Sequence, residues 1–223
     1  MLSALLKSQT QPHHDQAESS PAMQAVIAPD LTREAYRDHL VRLLAFYGPT
    51  EAALADVDGL ADVLPDLPER LVKTAWLRGD LDRLGGAGEA LSAHAPAWSV
   101  AEALGVLYVI EGSTLGGRSI ARELERSVGV TPEAGGQFYA SYRGDRGPRW
   151  KTFKAALNAH GEAHPEAADD TVRAAADTFD TLRIWMAMPL PAGASAGASA
   201  SQERPGRRPG GEGRGRREAT AGP

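Results

Sequence analysis

From Ser99 to about Arg126 the chain holds helical spacing longer than anywhere else, and this stretch decides the fold class. Ser99-Val100-Ala101-Glu102 has the Ser-x-x-Glu form of a capping box, in which a side chain and the backbone satisfy each other's unpaired donors at a helix start. Leu104, Leu107, Tyr108 and Leu115 then recur on one side of a 3.6-residue helix. The pattern repeats in Tyr36, Leu40, Leu43, Leu44 and Tyr47, which follow a Thr32 cap and stop at Gly48-Pro49. It repeats again in Val172, Ala175, Ala176, Phe179, Leu182 and Met186. Gly85-Gly86, Gly135-Gly136, Gly144 to Pro148 and Pro165 punctuate shorter helices predicted near 50–57, 69–84, 133–142 and 150–160. Strands are not expected, because the first 188 residues hold only 4 Ile and 11 Val and show no sustained period-two alternation. The fold class read from this is all-α.

Composition divides the chain at residue 188. Residues 189–223 hold 8 Gly, 5 Pro, 7 Ala and 6 Arg with a single large aliphatic, Leu190, which is too little apolar surface to offset the entropy of ordering. They are expected to form a disordered tail behind one helical domain, 1–188. Without the tail the chain has 18 basic against 26 acidic residues, a net charge of −8, which argues against nucleic acid as a partner. No cysteine is present, so disulfides, thiolate metal sites and cysteine nucleophiles are excluded. No apolar run reaches the ~20 residues of a membrane span, and the N-terminus lacks a signal-peptide pattern. The expectation is a cytoplasmic protein with no membrane association.

Two places break the helical rules, and such breaks tend to mark function. The first is Glu111-Gly112-Ser113-Thr114-Leu115-Gly116-Gly117 inside the longest helix. Each interior glycine costs ~1 kcal/mol relative to alanine. Gly112 and Gly116 share a face and open a trough to the backbone, while Gly117 lies about 100° further round and is expected to add flexibility. On spacing alone a notch for helix packing leads; the third glycine favours a bendable helix lying over a flat ligand.

The second break is the polar run from Lys7 to Glu18, in which Lys7, Gln11, His14 and Glu18 lie along one stripe of a helix. A carboxylate four residues after a histidine can fix one ring nitrogen while the other faces a metal. A solvated helix face fits an isolated His–Glu pair better. His13 points away from His14 and is not expected to share a metal with it. The other histidines show no HExxH or Glu-x-x-His spacing. A single histidine ligand suits haem better than a bare ion, since the porphyrin supplies four ligands.

Together these motifs resemble the haem oxygenase family, in particular its bacterial biliverdin-producing branch. Leu6-Lys7-x-x-Thr10-x-x-x-His14-x-x-x-Glu18 is similar to the family's proximal helix, and Leu107 to Gly117 to its distal helix. Phe138-Tyr139, Trp150-Lys151-x-Phe153 and Ala176-x-Thr178-Phe179-x-x-Leu182-x-x-Trp185 continue the likeness in order. It spans about residues 2–188. At the position after the first distal glycine, where many members carry an Asp that anchors a proton-delivering water network, this chain has Ser113; members of the branch it resembles have Ser or Ala there.

The resemblance implies a multi-helical bundle with a kinked, glycine-containing distal helix, and haem as both substrate and cofactor. His14 is then the iron ligand and Glu18 orients it. Gly112, Ser113, Gly116 and Gly117 line the distal face, and Phe179 contacts haem. Lys7 is expected to meet a propionate, with Lys151 and Lys154 as further candidates. O2 opens the ring to biliverdin with release of CO and iron. Electrons come from an external donor of the ferredoxin or flavoprotein-reductase type, and biliverdin passes to an acceptor such as a bacterial phytochrome. Two readings stay open beside this: a haem carrier on the same fold, and a helical protein whose glycine notch serves packing alone.

Overall fold

The computed structural model describes residues 1–86 and 96–190, and every regular element within them is helical. The α-helices are α1 (Leu2–Glu18), α2 (Pro21–Ala25), α3 (Arg33–Ala55), α4 (Leu60–Val63), α5 (Lys73–Arg83), α6 (Val100–Val128), α7 (Gln137–Ala140), α8 (Arg146–Ala163) and α9 (Ala168–Ala187). α6 starts at the capping box: Glu102 N donates to Ser99 Oγ at 3.3 Å, and Ser99 N to Glu102 Oε2 at 2.9 Å. It ends where Gly129 takes φ +66° and Val130 N reaches back to Leu124 O at 3.2 Å. α6 is helical throughout, including the glycines at which a kink is expected.

Several predicted boundaries move, most of them for a tertiary reason. α3 does not stop at Gly48-Pro49 but continues to Ala55, absorbing the separate helix expected at 50–57. An interior proline costs ~3 kcal/mol, but Thr50, Glu51 and Leu54 beyond it are buried. Burying one leucine is worth ~1.5–3 kcal/mol, so packing carries the helix through. The helix expected over 69–84 begins only at Lys73, where Glu51 of α3 accepts from Lys73 N and Thr74 N, each at 2.8 Å, and so caps α5 from outside. The helix expected over 133–142 shrinks to α7, whose Gln137 and Phe138 N–H groups donate to Asp80 at 2.9 and 2.7 Å. The one expected at 150–160 grows to α8, with Pro148 tolerated in its first turn.

α6 runs through the core, with Leu104, Leu107 and Ile110 fully buried. α9 lies so close along it that a Cβ on Gly105 would come within 2.2 Å of Thr171 O. α1 and α6 both pack on α9 and α8 but scarcely on each other, which leaves a gap between them. Of the expected tail, residues 191–223 lie outside the described residues; Leu190 packs on the core, and Arg42 Nε donates to Met188 O at 2.9 Å. Among the described residues no helix is long and apolar enough to cross a membrane.

Candidate functional site

The gap between α1 and α6 is a cavity of about 920 Å³, mostly apolar and open to solvent on one side. That volume is at the upper end of small-molecule sites, ~300–1,000 Å³. One wall is the polar stripe of α1: Lys7, Thr10, Gln11, His14 and Glu18 all line it. Facing it on α6 are Gly112, Ser113, Gly116 and Ile120. Trp150 and Lys154 of α8 and Phe179, Leu182, Arg183 and Met186 of α9 close the back.

A buried ion cluster fixes the rotation of α6. Glu111, next to Gly112 and about 100° round the helix, points into the protein, where Arg70 Nη1 donates to its Oε2 at 2.7 Å and Lys73 Nζ and Tyr142 OH donate to its Oε1. Arg70 also donates from Nε to Asp66 Oδ1 at 2.8 Å and from Nη2 to Thr152 Oγ1 at 3.0 Å. Arg70, Lys73 and Glu111 are all buried, and desolvation holds the Lys73 ammonium below its usual range despite the carboxylate beside it. Because a half-satisfied cluster would leave a bare buried charge, α6 has one rotation, and in it the Gly112–Gly116 face is turned to the cavity.

The three glycines therefore serve two purposes. A Cβ on Gly116 would meet nothing within 4 Å, and one on Gly112 only the Trp150 ring edge at 3.6 Å. A Cβ on Gly117 would lie 2.6 Å from Tyr139 O. Gly117 is thus a packing glycine against α7, not the flexible third member of the trough expected from spacing, and it does not line the cavity. Lys151 likewise falls outside the cavity and is exposed, whereas Lys154 stands 5.7 Å over the Trp150 ring at its edge.

His14 is half-exposed into the cavity, its ring edge-on to Phe179 with centroids 5.7 Å apart. Its Nδ1 lies 3.5 Å from Asp15 Oδ1 and 3.8 Å from Glu18 Oε2, so Asp15, which the spacing did not single out, is the nearer acid. Both carboxylates sit on the Nδ1 side and leave Nε2 free. His13 turns away to α9, with Nδ1 3.1 Å from Asp180 Oδ2.

Two further contributors were not picked out from the sequence. Arg183, one turn beyond Phe179 on α9, lines the back of the cavity with a buried Nε that has no partner. Its i+4 spacing from Phe179 was the available signal. Tyr47 of α3 is buried behind Ser113, and their hydroxyls are 3.2 Å apart. Ser113 Oγ donates to Ile110 O at 2.9 Å, so Tyr47 is the donor to Ser113. Burial raises the Tyr47 phenol well above its usual range and keeps it protonated. No local pattern links residues 66 positions apart.

The site thus suits a flat, largely apolar ligand: a free imidazole nitrogen on one side, bare backbone on the other, and Lys7, Lys154 and Arg183 for anionic groups at its edge. The Heme oxygenase family model matches residues 1–188. The NO- and CO-bound heme oxygenase from Neisseria meningitidis has a similar fold, with a TM-score of 0.73 and 22% identity over 94% of this chain and 99% of that one. No curated protein matches the sequence.

Proposed function

The chain belongs to the haem oxygenase family, and from that premise we propose that it opens the haem macrocycle with O2 to biliverdin, CO and ferrous iron, and that His14 is the residue that would hold the iron. The observation that carries this reading is the pairing of walls: His14 on α1 faces an α6 surface where the Cβ position of Gly116 is empty. The residues present fit haem. The unpartnered buried Nε of Arg183 needs an acceptor, which a propionate provides, and the cavity has the volume and the apolar lining for a macrocycle.

Bound haem supplies both the ring to be cut and the iron at which O2 reacts. The residues do the rest. Asp15 and Glu18 stand on the Nδ1 side of His14 and leave Nε2 toward the cavity, the side from which a carboxylate orients a ligating imidazole. Lys7, Lys154 and Arg183 orient the ligand by its anionic edge. Gly112 and Gly116 bring backbone close to one face, so side chains do not crowd it. Ser113, held between the Tyr47 hydroxyl and Ile110 O, places a polar group on that wall at the position an aspartate takes in other members. Electrons come from a ferredoxin or flavoprotein reductase. The likeness to the bacterial branch supports a cytoplasmic protein whose helical domain, residues 1–188, passes biliverdin to an acceptor such as a phytochrome.

The test is a haem titration followed by single turnover with reduced ferredoxin and O2. The expected result is loss of haem absorbance, a bilin spectrum and one CO trapped per haem. Haem that binds and is recovered intact after repeated reduction under O2 would overturn the assignment.

A further inference from the structure

The carboxyl end of α8 carries a group that the haem chemistry does not use. His160 stands in the last turn of α8, and His164, four residues on, is the non-helical residue that caps it, with φ −132° and ψ 65°. Their ring centroids lie 4.7 Å apart, with planes inclined by 38°. His164 Nδ1 is 3.4 Å from Glu166 Oε1. That carboxylate stands on the Nδ1 side and leaves Nε2 clear, the side from which an outer carboxylate orients a metal-bound histidine. The turn between the two rings is pinned against α1. A Cβ on Gly161 would come within 2.8 Å of Leu2, and Ser3 N donates to Asn158 Oδ1 at 2.9 Å. The backbone that carries His160 is therefore held by packing, and the negative end of the α8 dipole lies alongside.

We propose that His160 and His164 form a two-imidazole clasp for a divalent cation of the Zn2+, Ni2+ and Cu2+ class, with Glu166 as the outer carboxylate and water completing the coordination. Imidazole donors favour these ions over Mg2+ and Ca2+, which take oxygen ligands. This site is separate from the His14, Asp15 and Glu18 cluster, whose ligand atoms lie within 4.8 Å of one another and which belongs to the cavity. The proposal does not depend on the haem assignment.

The experiment follows the imidazole 1H–15N resonances of the full-length, haem-free chain while NiCl2 is added below one equivalent. Paramagnetic broadening is expected at His160 and His164 before His13 and His14. Glu166→Gln should weaken the effect ~10-fold, and His164→Ala should abolish broadening at His160 at the same Ni2+ concentration. Both substitutions are at exposed side chains, and haem titration of each variant should match the wild type. If His160 and His164 broaden no earlier than the other histidines, or if His160 still broadens in His164→Ala, there is no clasp.

Discussion

Adjacent glycines on α6 should respond in opposite ways to the same substitution. In Gly116→Ala the added methyl meets nothing within 4 Å, so only the helix-propensity gain of ~1 kcal/mol remains. In Gly117→Ala the methyl would lie 2.6 Å from the Tyr139 carbonyl oxygen, a backbone atom that cannot rotate aside. The propensity gain is the same, but overpacking of ~1–3 kcal/mol opposes it. The two apo variants should therefore differ by ~1–3 kcal/mol, or ~2–12 °C in thermal midpoint for a domain of this size, with Gly117→Ala the lower. Urea and thermal unfolding of the haem-free proteins measure this directly. Gly116→Leu extends the comparison: it should fold as well as the wild type without haem, yet bind haem more weakly or fail to turn it over. Equal destabilisation of Gly116→Ala and Gly117→Ala, or wild-type turnover by Gly116→Leu, would refute the assignment of the two faces.

His14→Ala should remove the axial-imidazole spectrum of the haem complex while His13→Ala keeps it; because the His13–Asp180 pair is partly exposed, its loss should cost at most ~1 kcal/mol in unfolding free energy. Glu111→Gln leaves Arg70 and Lys73 buried without their shared carboxylate and should lower stability by ~3–5 kcal/mol, seen as a reduced urea midpoint. His39 is buried, and desolvation lowers its pKa to about 3, with Arg42 adding to the shift. Unfolding restores a pKa of ~6.5, so the unfolded chain takes up the proton first and stability falls with pH between about 6.5 and 3. Wild type should thus lose ~1.4 kcal/mol per pH unit relative to His39→Gln in that window; a parallel pH dependence of the two would show that His39 is not held neutral.

The helical class and the starts of α3 and α6 were legible in the chain because their signals are local. The Ser99–Glu102 box and the Thr32 cap act within four residues, and both appear as expected. The placement of His14 and Lys7 on one stripe is also local, since 3.6 residues per turn determines which side chains share a face. What a face meets is not local. Spacing grouped Gly112, Gly116 and Gly117 as one trough, and only the packing of α7 on Gly117 and the open space at Gly116 separated them. The same holds for the Glu51 cap on α5 and for the continuation of α3 through Pro49, where burial beyond the proline outweighs the local penalty. Arg70 and Glu111 are 41 residues apart, and His39 and Tyr139 are 100 apart. The sequence by itself determined which segments are helical and which residues share a stripe, because hydrogen bonding within a helix depends on near neighbours. Tertiary structure decided which stripe faces the cavity, because the rotation of α6 depends on burying the Glu111 charge against two cations from a distant part of the chain.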